Sequence, residues 1–285
     1  KESKRGKMKL GMNIRNWGPT AKPDFLAACA RSADDSTLDS IWLNDHLGLP
    51  PVFDNEYQID PSMGDILDPL AVASYLAGIT ARIRFGTGVL VLPYRPAVVT
   101  GKLIASIQVL SKNRFLLGCG PGYLKEEFTA LGVSKTKRGR ITDETLKFLH
   151  DASNGALHNL NGQDFLIKPQ LSLPPIYIGG IAEIAIPRAI AFGTGWQPAF
   201  GQTPANIKST MTEWNSRTDE SRLKRLEVVM MKTLPLNEKN KAIDLAAAYK
   251  EAGVTEFVHT QSYETLDEYK EIIEQIDGTI RQAIH

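Results

Sequence analysis

The sequence predicts an α/β protein of the (β/α)8 TIM barrel class, with an insertion between strands four and five. Short apolar runs, typical of buried parallel strands, recur eight times along the chain. A segment with the apolar spacing of a helix follows each run. Eight such units in 285 residues match the count of a barrel. The main alternative, an open doubly wound sheet, usually has fewer strands.

The predicted strands are short and apolar, and they lie at 8–13, 40–44, 83–92, 114–119, 176–178, 195–198, 226–233 and 256–259. The predicted helices that follow them lie at 23–34, 69–80, 96–110, 124–131, 182–192, 204–217, 240–252 and 266–283. The insertion consists of an extra helix at 140–153 and an excursion with little periodicity at 154–173. Residues 47–68, rich in Pro, Asp and Gly, form a predicted long loop.

Composition excludes several classes of protein. Lys plus Arg is 33 and Asp plus Glu is 32, which argues against a basic nucleic-acid groove or a polybasic membrane face. The chain lacks the apolar run of roughly 18 residues that a membrane helix needs. Two cysteines in apolar contexts fit a reduced, cytoplasmic protein. No zinc-protease, paired-cysteine, Ser-hydrolase or Walker motif occurs, so we expect no metal site.

The N-terminal residues 1–7, KESKRGK, are basic and lack the apolar segment of a signal peptide. We expect them to be a disordered tail or residues left by cloning, with Met8 as the natural start. Residues 8–285 are then expected to form a single barrel domain.

The end of the second predicted strand carries the clearest candidates for chemistry, Asn44, Asp45 and His46. Active sites of barrels lie at the carboxyl ends of the strands. Histidine exchanges a proton near neutral pH, so His46 and Asp45 are predicted catalytic residues. The alternative is a structural pair that holds the loop 47–68. Asn13, at the end of the first strand, is a further candidate for cofactor binding.

Glycines mark the ends of strands three, four and five. Gly86 and Gly88 within the third strand indicate a bulge, or a close approach of the backbone to a ligand. The GCGPGY run at 118–123 is a weak dinucleotide signal, but it suits a flat platform for a planar ring. The pair Gly179 and Gly180, between a strand and a helix, is typical of a loop that cradles phosphate with backbone N–H groups.

Two other groups of residues have structural interpretations. Glu126 and Glu127 fall in the first turn of a predicted helix, where acidic residues interact favourably with the helix dipole. His259 ends strand eight and either faces the site or is a buried histidine with satisfied hydrogen bonds, which we favour.

Four segments in order resemble the bacterial luciferase-like superfamily of flavin- and deazaflavin-dependent oxidoreductases. They are SIWLNDHLGLP (40–50), the stretch from IRFGTG to TALGV (83–133), KRGRITDETLKFL (137–149), and PPIYIGG with GTGWQP (174–198). The resemblance implies a (β/α)8 barrel that holds an isoalloxazine-type ring in its mouth.

The resemblance also implies roles for individual residues. His46, with Asp45, would lie near the reactive face of the ring, and a non-proline cis peptide would join Gly88 and Val89. The residues that the resemblance and the strand ends assign to cofactor binding are Asn13, Asn44, Thr87, Gly88, Val89, Gly120, Tyr123, Gly179, Gly180, Ile181 and Trp196.

The loop at 44–50 looks more like that of enzymes using coenzyme F420 than that of FMN monooxygenases. We therefore expect F420-dependent hydride transfer to a small organic substrate. The alternatives are an FMN monooxygenase supplied with reduced flavin by a separate reductase, and a non-catalytic flavin-binding barrel. The resemblance also implies a homodimer formed through the helices at 69–80 and 96–110.

Three departures from the family pattern affect the cofactor site. Ala182 stands where a hydroxyl or amide side chain usually caps the helix. Pro187 falls inside the predicted helix, which would then begin late or kink. Tyr123 stands where some deazaflavin dehydrogenases carry a glutamate.

Overall fold

The structure, a computed structural model, describes residues 7–50, 64–217 and 226–284. Its strands are β1 Lys9–Asn13, β2 Ser40–Leu43, β3 Arg84–Thr87, β4 Leu90–Val91, β5 Phe115–Gly120, β6 His158–Leu160, β7 Gln163–Phe165, β8 Ile176–Gly180, β9 Gly195–Pro198, β10 Glu227–Lys232 and β11 Glu256–His259. Its helices are α1 Pro23–Asp35, α2 Pro69–Ile79, α3 Ala97–Ser111, α4 Lys125–Ala130, α5 Arg138–Ser153, α6 Ala182–Phe192, α7 Pro204–Arg217, α8 Lys239–Ala252, α9 Leu266–Gln275 and α10 Gln282–Ile284.

Parallel strands close into a ring of eight positions, as the sequence predicts. The order around the ring is β1, β2, β3 with β4, β5, β8, β9, β10 and β11, and β11 pairs with β1. Strands β3 and β4 share one position because both pair with β5. The predicted barrel is therefore confirmed, and its carboxyl-terminal mouth is where the strand-end residues meet.

The third predicted strand, 83–92, is wrong as one continuous element. It divides into β3 and β4 on either side of a cis peptide bond between Gly88 and Val89. A 3-10 turn, Leu92–Tyr94, follows β4. The cis bond lies where the family resemblance places it. Apolar composition could not show the division, because residues on both sides of it are buried.

The insertion between β5 and β8 contains α5 and an antiparallel hairpin of β6 and β7. The hairpin was not predicted, because its residues are largely exposed and lack an apolar alternation. Helix α5 is tied to α6 by an ion pair between Asp143 and Arg188, with 2.6 Å between Oδ1 and Nε. The insertion thus packs on the outside of the barrel beside α6.

Two predicted helices contain an unusual feature. Helix α6 spans Ala182–Phe192 as predicted and contains Pro187, so of the two alternatives the late start is excluded. The predicted helix 266–283 changes at Ile276–Arg281 into a π-helical segment. In that segment the Arg281 guanidinium donates to the carbonyl of Thr37, and the Asp277 carboxylate accepts from the N–H of Thr37. These contacts tie the π-helical segment to the loop before β2.

The barrel interior is filled by inward-facing side chains of five strands, Trp42, Leu116, Tyr177, Val229, Met231 and Val258. A larger apolar cluster lies between the strands and the helices. At the amino-terminal end, the buried Glu256 accepts hydrogen bonds from Ser40 Oγ and Trp42 Nε1. Burial raises the pKa of Glu256, against the opposing effect of these donors. The interior is therefore closed below and open only towards the mouth.

His259 ends β11 and is buried, with Nδ1 accepting from the N–H of Leu234 at 3.1 Å. This confirms the interpretation as a satisfied buried histidine. Burial lowers the pKa of His259 from 6.5 to about 4, although a hydrogen bond with Gln261 opposes the shift.

We expect acid to destabilise the protein through His259. The unfolded chain takes up this proton near pH 6.5 and the folded chain only near pH 4, so stability present above pH 6.5 is lost as the pH falls between the two values. The loss should reach up to about 3 kcal/mol. Urea unfolding of the wild type and His259→Asn, whose amide oxygen can replace Nδ1 as acceptor, measures it. His158→Asn, on the hairpin, is the control. An equally steep acid dependence in His259→Asn would contradict the assignment.

Candidate active site

A cavity of about 340 Å³ opens at the carboxyl ends of the barrel strands. Residues at or just after the carboxyl ends of β2, β3, β4, β5, β8, β9 and β10 line it. They include Asn44, Asp45, His46, Gly88, Val89, Tyr94, Gly120, Tyr123, Gly179, Gly180, Ile181, Gln197, Phe200 and Met231. Ten of the thirteen residues predicted to form the site therefore line one cavity. Its volume lies in the usual range for small-molecule sites.

Two glycines of β8 form a bare wall of this cavity. A Cβ on Gly179 would lie 2.6 Å from Val89 Cγ1, so a side chain there would displace the segment after the cis bond. Gly180 has a φ of 134°, a backbone conformation in which a residue with a side chain would be strained. The wall is therefore glycine backbone without side chains, with Val89 packed directly against Gly179, and a planar molecule can lie beside it.

His46 stands beside a buried carboxylate. Its Nδ1 lies 3.3 Å from Glu127 Oε2, and the imidazole is about one-fifth exposed. The Tyr94 hydroxyl donates to the same Oε2 at 2.5 Å, and the Leu47 N–H donates to Oε1 at 2.6 Å. Three groups around one carboxylate thus hold both the imidazole and the backbone that follows it.

Glu127 remains ionised in this environment. Burial alone would raise its pKa, but the hydrogen bonds from His46 and Tyr94 outweigh it, and the net pKa is lowered. The pKa of Tyr94 is raised by burial and by the neighbouring carboxylate, so its hydroxyl keeps its proton and acts as a donor. A carboxylate that accepts from Nδ1–H leaves Nε2 of the imidazole as the nitrogen available for proton exchange.

Asp45 forms a buried ion pair. Its carboxylate oxygens accept from Arg95 at 2.7 and 2.8 Å, and Oδ2 also accepts from the Val91 N–H at 2.8 Å. Arg95 donates in addition to Asp68, the N-cap of α2, at 2.6 Å. Because these partners occupy both of its oxygens, Asp45 is suited to position the mouth rather than to carry a proton.

Asn13 and Asn44 form a second network below the cavity. Asn13 Nδ2 donates to the Trp42 carbonyl at 2.8 Å and to Asn44 Oδ1 at 2.9 Å. Asn44 Nδ2 donates to the Gly88 carbonyl at 3.2 Å, next to the cis bond. Asn44 reaches the cavity wall, whereas Asn13 supports it from β1 and does not line it.

Thr87 and Trp196 also lie outside the cavity. Thr87 is buried and its Oγ1 donates to the Gly118 carbonyl at 2.7 Å, joining β3 to β5. Trp196 is buried in the cluster between strands and helices, and its Nε1 donates to the Gly180 carbonyl at 2.9 Å. Both residues hold the wall in place from behind.

Sequence reasoning missed Glu127 and Gln197 as site residues. Glu127 matched the helix-dipole pattern, but it is buried while its neighbour Glu126 is exposed. Gln197 is 4% exposed and lines the cavity, and its Oε1 has no hydrogen-bond partner among the described residues. Buried acceptors without a partner are rare in native proteins, and this one belongs to a residue of the cavity wall. The only signal in the sequence was its place in β9, next to the predicted Trp196.

The cavity fits one part of a flavin-type cofactor better than the other. The bare wall at Gly179 and Gly180, the apolar Val89 and Met231, and the unpaired Gln197 acceptor suit a flat ring with N–H groups. The phosphate of such a cofactor has no cationic partner in the cavity, since none of its lining residues is Lys or Arg. The residues present therefore fit the ring, and they offer the phosphate no cation.

Comparison with known proteins decides the family. The family model of the luciferase-like monooxygenases matches residues 8–277. The chain belongs to that family. This luciferase-like chain is also 27% identical over 190 residues to an uncharacterized protein of Mycobacterium tuberculosis. The match covers 62% of this chain and 66% of that protein, just under two thirds of its length.

Two solved structures with different cofactors share the fold of this luciferase-like chain. One is an F420-dependent secondary alcohol dehydrogenase in complex with an F420–acetone adduct, at a TM-score of 0.75 and 14% identity, covering 98% of this chain and all of that one. The other is the oxygenating constituent of 3,6-diketocamphane monooxygenase from Pseudomonas putida in complex with FMN. Its TM-score is 0.73 and its sequence identity is 13%, and the match covers 98% of this chain and 99% of that one. These likenesses show the fold and leave the cofactor open.

Some negative findings hold for the described part of the luciferase-like chain. No cluster of three or more His, Cys, Asp or Glu side chains in it could hold a metal ion. None of its described helices combines the length and apolar character needed to cross a bilayer. Cys29 and Cys119 are free and buried, and burial raises the pKa of each thiol to about 12.

We expect Asp45→Asn to destabilise the protein by about 3 kcal/mol, because it leaves the buried Arg95 guanidinium with less compensation. Urea unfolding measures the change. Glu144→Gln is the matched control: its partner Arg140 lies 3.6 Å away and both side chains are more than 60% exposed, so its loss should cost less than about 0.5 kcal/mol. Equal effects of the two substitutions would contradict the structural role of Asp45.

Proposed function

We propose that this chain is an oxidoreductase that holds a flavin-type ring in the cavity and exchanges a proton with a small organic substrate through His46. The pairing of His46 with the buried, ionised Glu127 at the cavity wall carries the proposal. Histidine with a carboxylate on one nitrogen is a common arrangement for general acid–base catalysis.

The residues divide the work between binding and proton exchange. The glycine wall of β8, Val89 and Met231 would contact the faces of the ring, and Gln197 would accept a hydrogen bond from its polar edge. When bound, the cofactor supplies the hydride or the reduced ring. Glu127 orients the imidazole through Nδ1, while Tyr94 and the Leu47 N–H keep the carboxylate in place.

Coenzyme F420 is the first candidate cofactor, because the Asn-Asp-His sequence at the end of β2 resembles that of deazaflavin enzymes. The second candidate is FMN, which a partner reductase would supply in reduced form and which would use oxygen as co-substrate. The FMN-bound structure with the same fold supports it.

We also propose a cytoplasmic homodimer, whose contact would use the exposed Tyr75 of α2 and Val99 and Leu103 of α3.

Titration of the apo-protein with F420 and with FMN, followed by ligand fluorescence, tests the choice of cofactor. We expect F420 to bind with a micromolar dissociation constant. FMN binding without F420 binding would select the monooxygenase instead. Failure of both, and of their forms without phosphate, would overturn the proposed function. Size-exclusion light scattering of the same samples tests the dimer.

Glu127→Gln should lower kcat by about tenfold to a hundredfold on any alcohol, ketone or aldehyde that the wild type turns over, because the imidazole loses its anionic partner. Binding of the cofactor ring should change little, since Glu127 does not line the cavity. Stopped-flow absorbance of the cofactor and fluorescence titration measure the two quantities.

Glu126→Gln is the control, because Glu126 lies in the same first turn but is exposed. The lowered pKa of Glu127 adds a second readout. The carboxylate stabilises the fold above the unfolded value of about 4.3, and this contribution is lost as the pH falls below it. The stability difference between wild type and Glu127→Gln should therefore shrink in acid. Unchanged kcat in Glu127→Gln would contradict the positioning role.

A further inference from the structure

The end of the cavity that would receive a phosphate is apolar and acidic. It lies where β8 passes into α6, at Gly180 and Ile181. Ile181 and Ile184 are about half exposed there, and Phe200, from the neighbouring β9 loop, is 86% exposed. Phosphate gains nothing from contact with these side chains and loses hydration beside them.

The first turn of α6 already contains an anion. Glu183 is its second residue and is exposed, so its carboxylate interacts with the positive end of the helix dipole. A phosphate at the amino terminus of α6 would lie within about one helical turn of this residue, roughly 5 Å along the axis and inside the Debye length of about 8 Å. Ala182, the first helical residue, has no hydroxyl that could offset the repulsion.

The described cations near the mouth are placed elsewhere. Arg95 is held by Asp45 and Asp68. Arg15 follows β1, which lies opposite β8 in the ring of strands, and its guanidinium stacks on Trp17 at 4.1 Å. Lys125 begins α4 on the exposed surface and does not line the cavity. The described parts of the loop, 47–50 and 64–68, contain no Lys or Arg and two acidic residues, Asp65 and Asp68.

We infer that this chain binds the ring of its cofactor and not the phosphate, and therefore takes an uncharged flavin or deazaflavin at least as well as the phosphorylated form. The inference rests on the proposed function, because it concerns the same cavity. Affinity comes from the apolar wall, the glycine backbone and the Gln197 acceptor. The phosphate stays in solvent at the rim, where Glu183 repels it.

Fluorescence titration of the apo-protein with riboflavin and with FMN tests the inference. Riboflavin should bind within about threefold of FMN or tighter, since no ion pair favours the phosphate. Raising the ionic strength should leave FMN binding unchanged or improve it, because salt screens a repulsion. The deazaflavin pair, F420 and its riboflavin-level precursor without phosphate, should behave in the same way.

Substitutions of exposed residues add a test of location. Glu183→Lys should tighten FMN binding by about fivefold or more and leave riboflavin binding unchanged, because it places a cation in the first turn of α6. Glu126→Gln, at another exposed acid in the first turn of a helix, is the matched control and should change neither. Lys125→Gln should also leave the ratio of the FMN and riboflavin dissociation constants unchanged. Circular dichroism confirms that each variant is folded.

The outcomes separate the two proposals. FMN binding more than about tenfold tighter than riboflavin, and weakening with salt, would overturn this inference and leave the proposed function standing. If Lys125→Gln abolished such a preference for FMN over riboflavin, Lys125 would be a cation that binds the phosphate, which contradicts the inference. If neither member of either pair binds, the proposed function itself fails.

Discussion

Arg95 lies where three segments from different parts of the chain meet. Its guanidinium bonds to Asp45 at the end of β2 and to Asp68 at the start of α2, and it follows the 3-10 turn after β4. The Asp45 carboxylate also accepts from the N–H of Val91 in β4. A buried ion pair adds little net stability by itself, but removing one partner leaves a costly charge. This pair therefore specifies one arrangement of the mouth, and His46, next in sequence to Asp45, depends on it.

The same arrangement brings His46 to Glu127. The imidazole comes from the loop after β2, and the carboxylate comes from α4, after β5. Glu127 also accepts from the Leu47 N–H, so the backbone beside His46 is held from two sides, by Arg95 through Asp45 and by α4. The imidazole for which we propose proton exchange is thus held in one orientation before any substrate enters. The chemistry proposed for the site thus depends on hydrogen bonds that hold the segment after β2 against the one after β5.

The cavity shows a difference in character between its two ends. The end near His46 and Gln197 contains directed polar groups, whereas the rim near α6 has Ile181, Ile184, Phe200 and the carboxylate of Glu183. Among the lining residues, the rim offers apolar contacts to a planar ring and no Lys or Arg to an anionic tail.

The sequence by itself determined the barrel, the order of its units and most of the residues at its mouth. Apolar periodicity and glycine spacing report local structure, and a regular alternation of strands and helices leaves few topologies. The tertiary structure alone decided which of these residues act together. Glu127 and Glu126 are adjacent and identical in type, yet only Glu127 is buried beside His46. Likewise, Asp45 looked like a catalytic residue until Arg95, fifty residues away in sequence, was seen to bind both of its oxygens. Pairings across such distances depend on how strands and loops pack in three dimensions, and no local pattern encodes them.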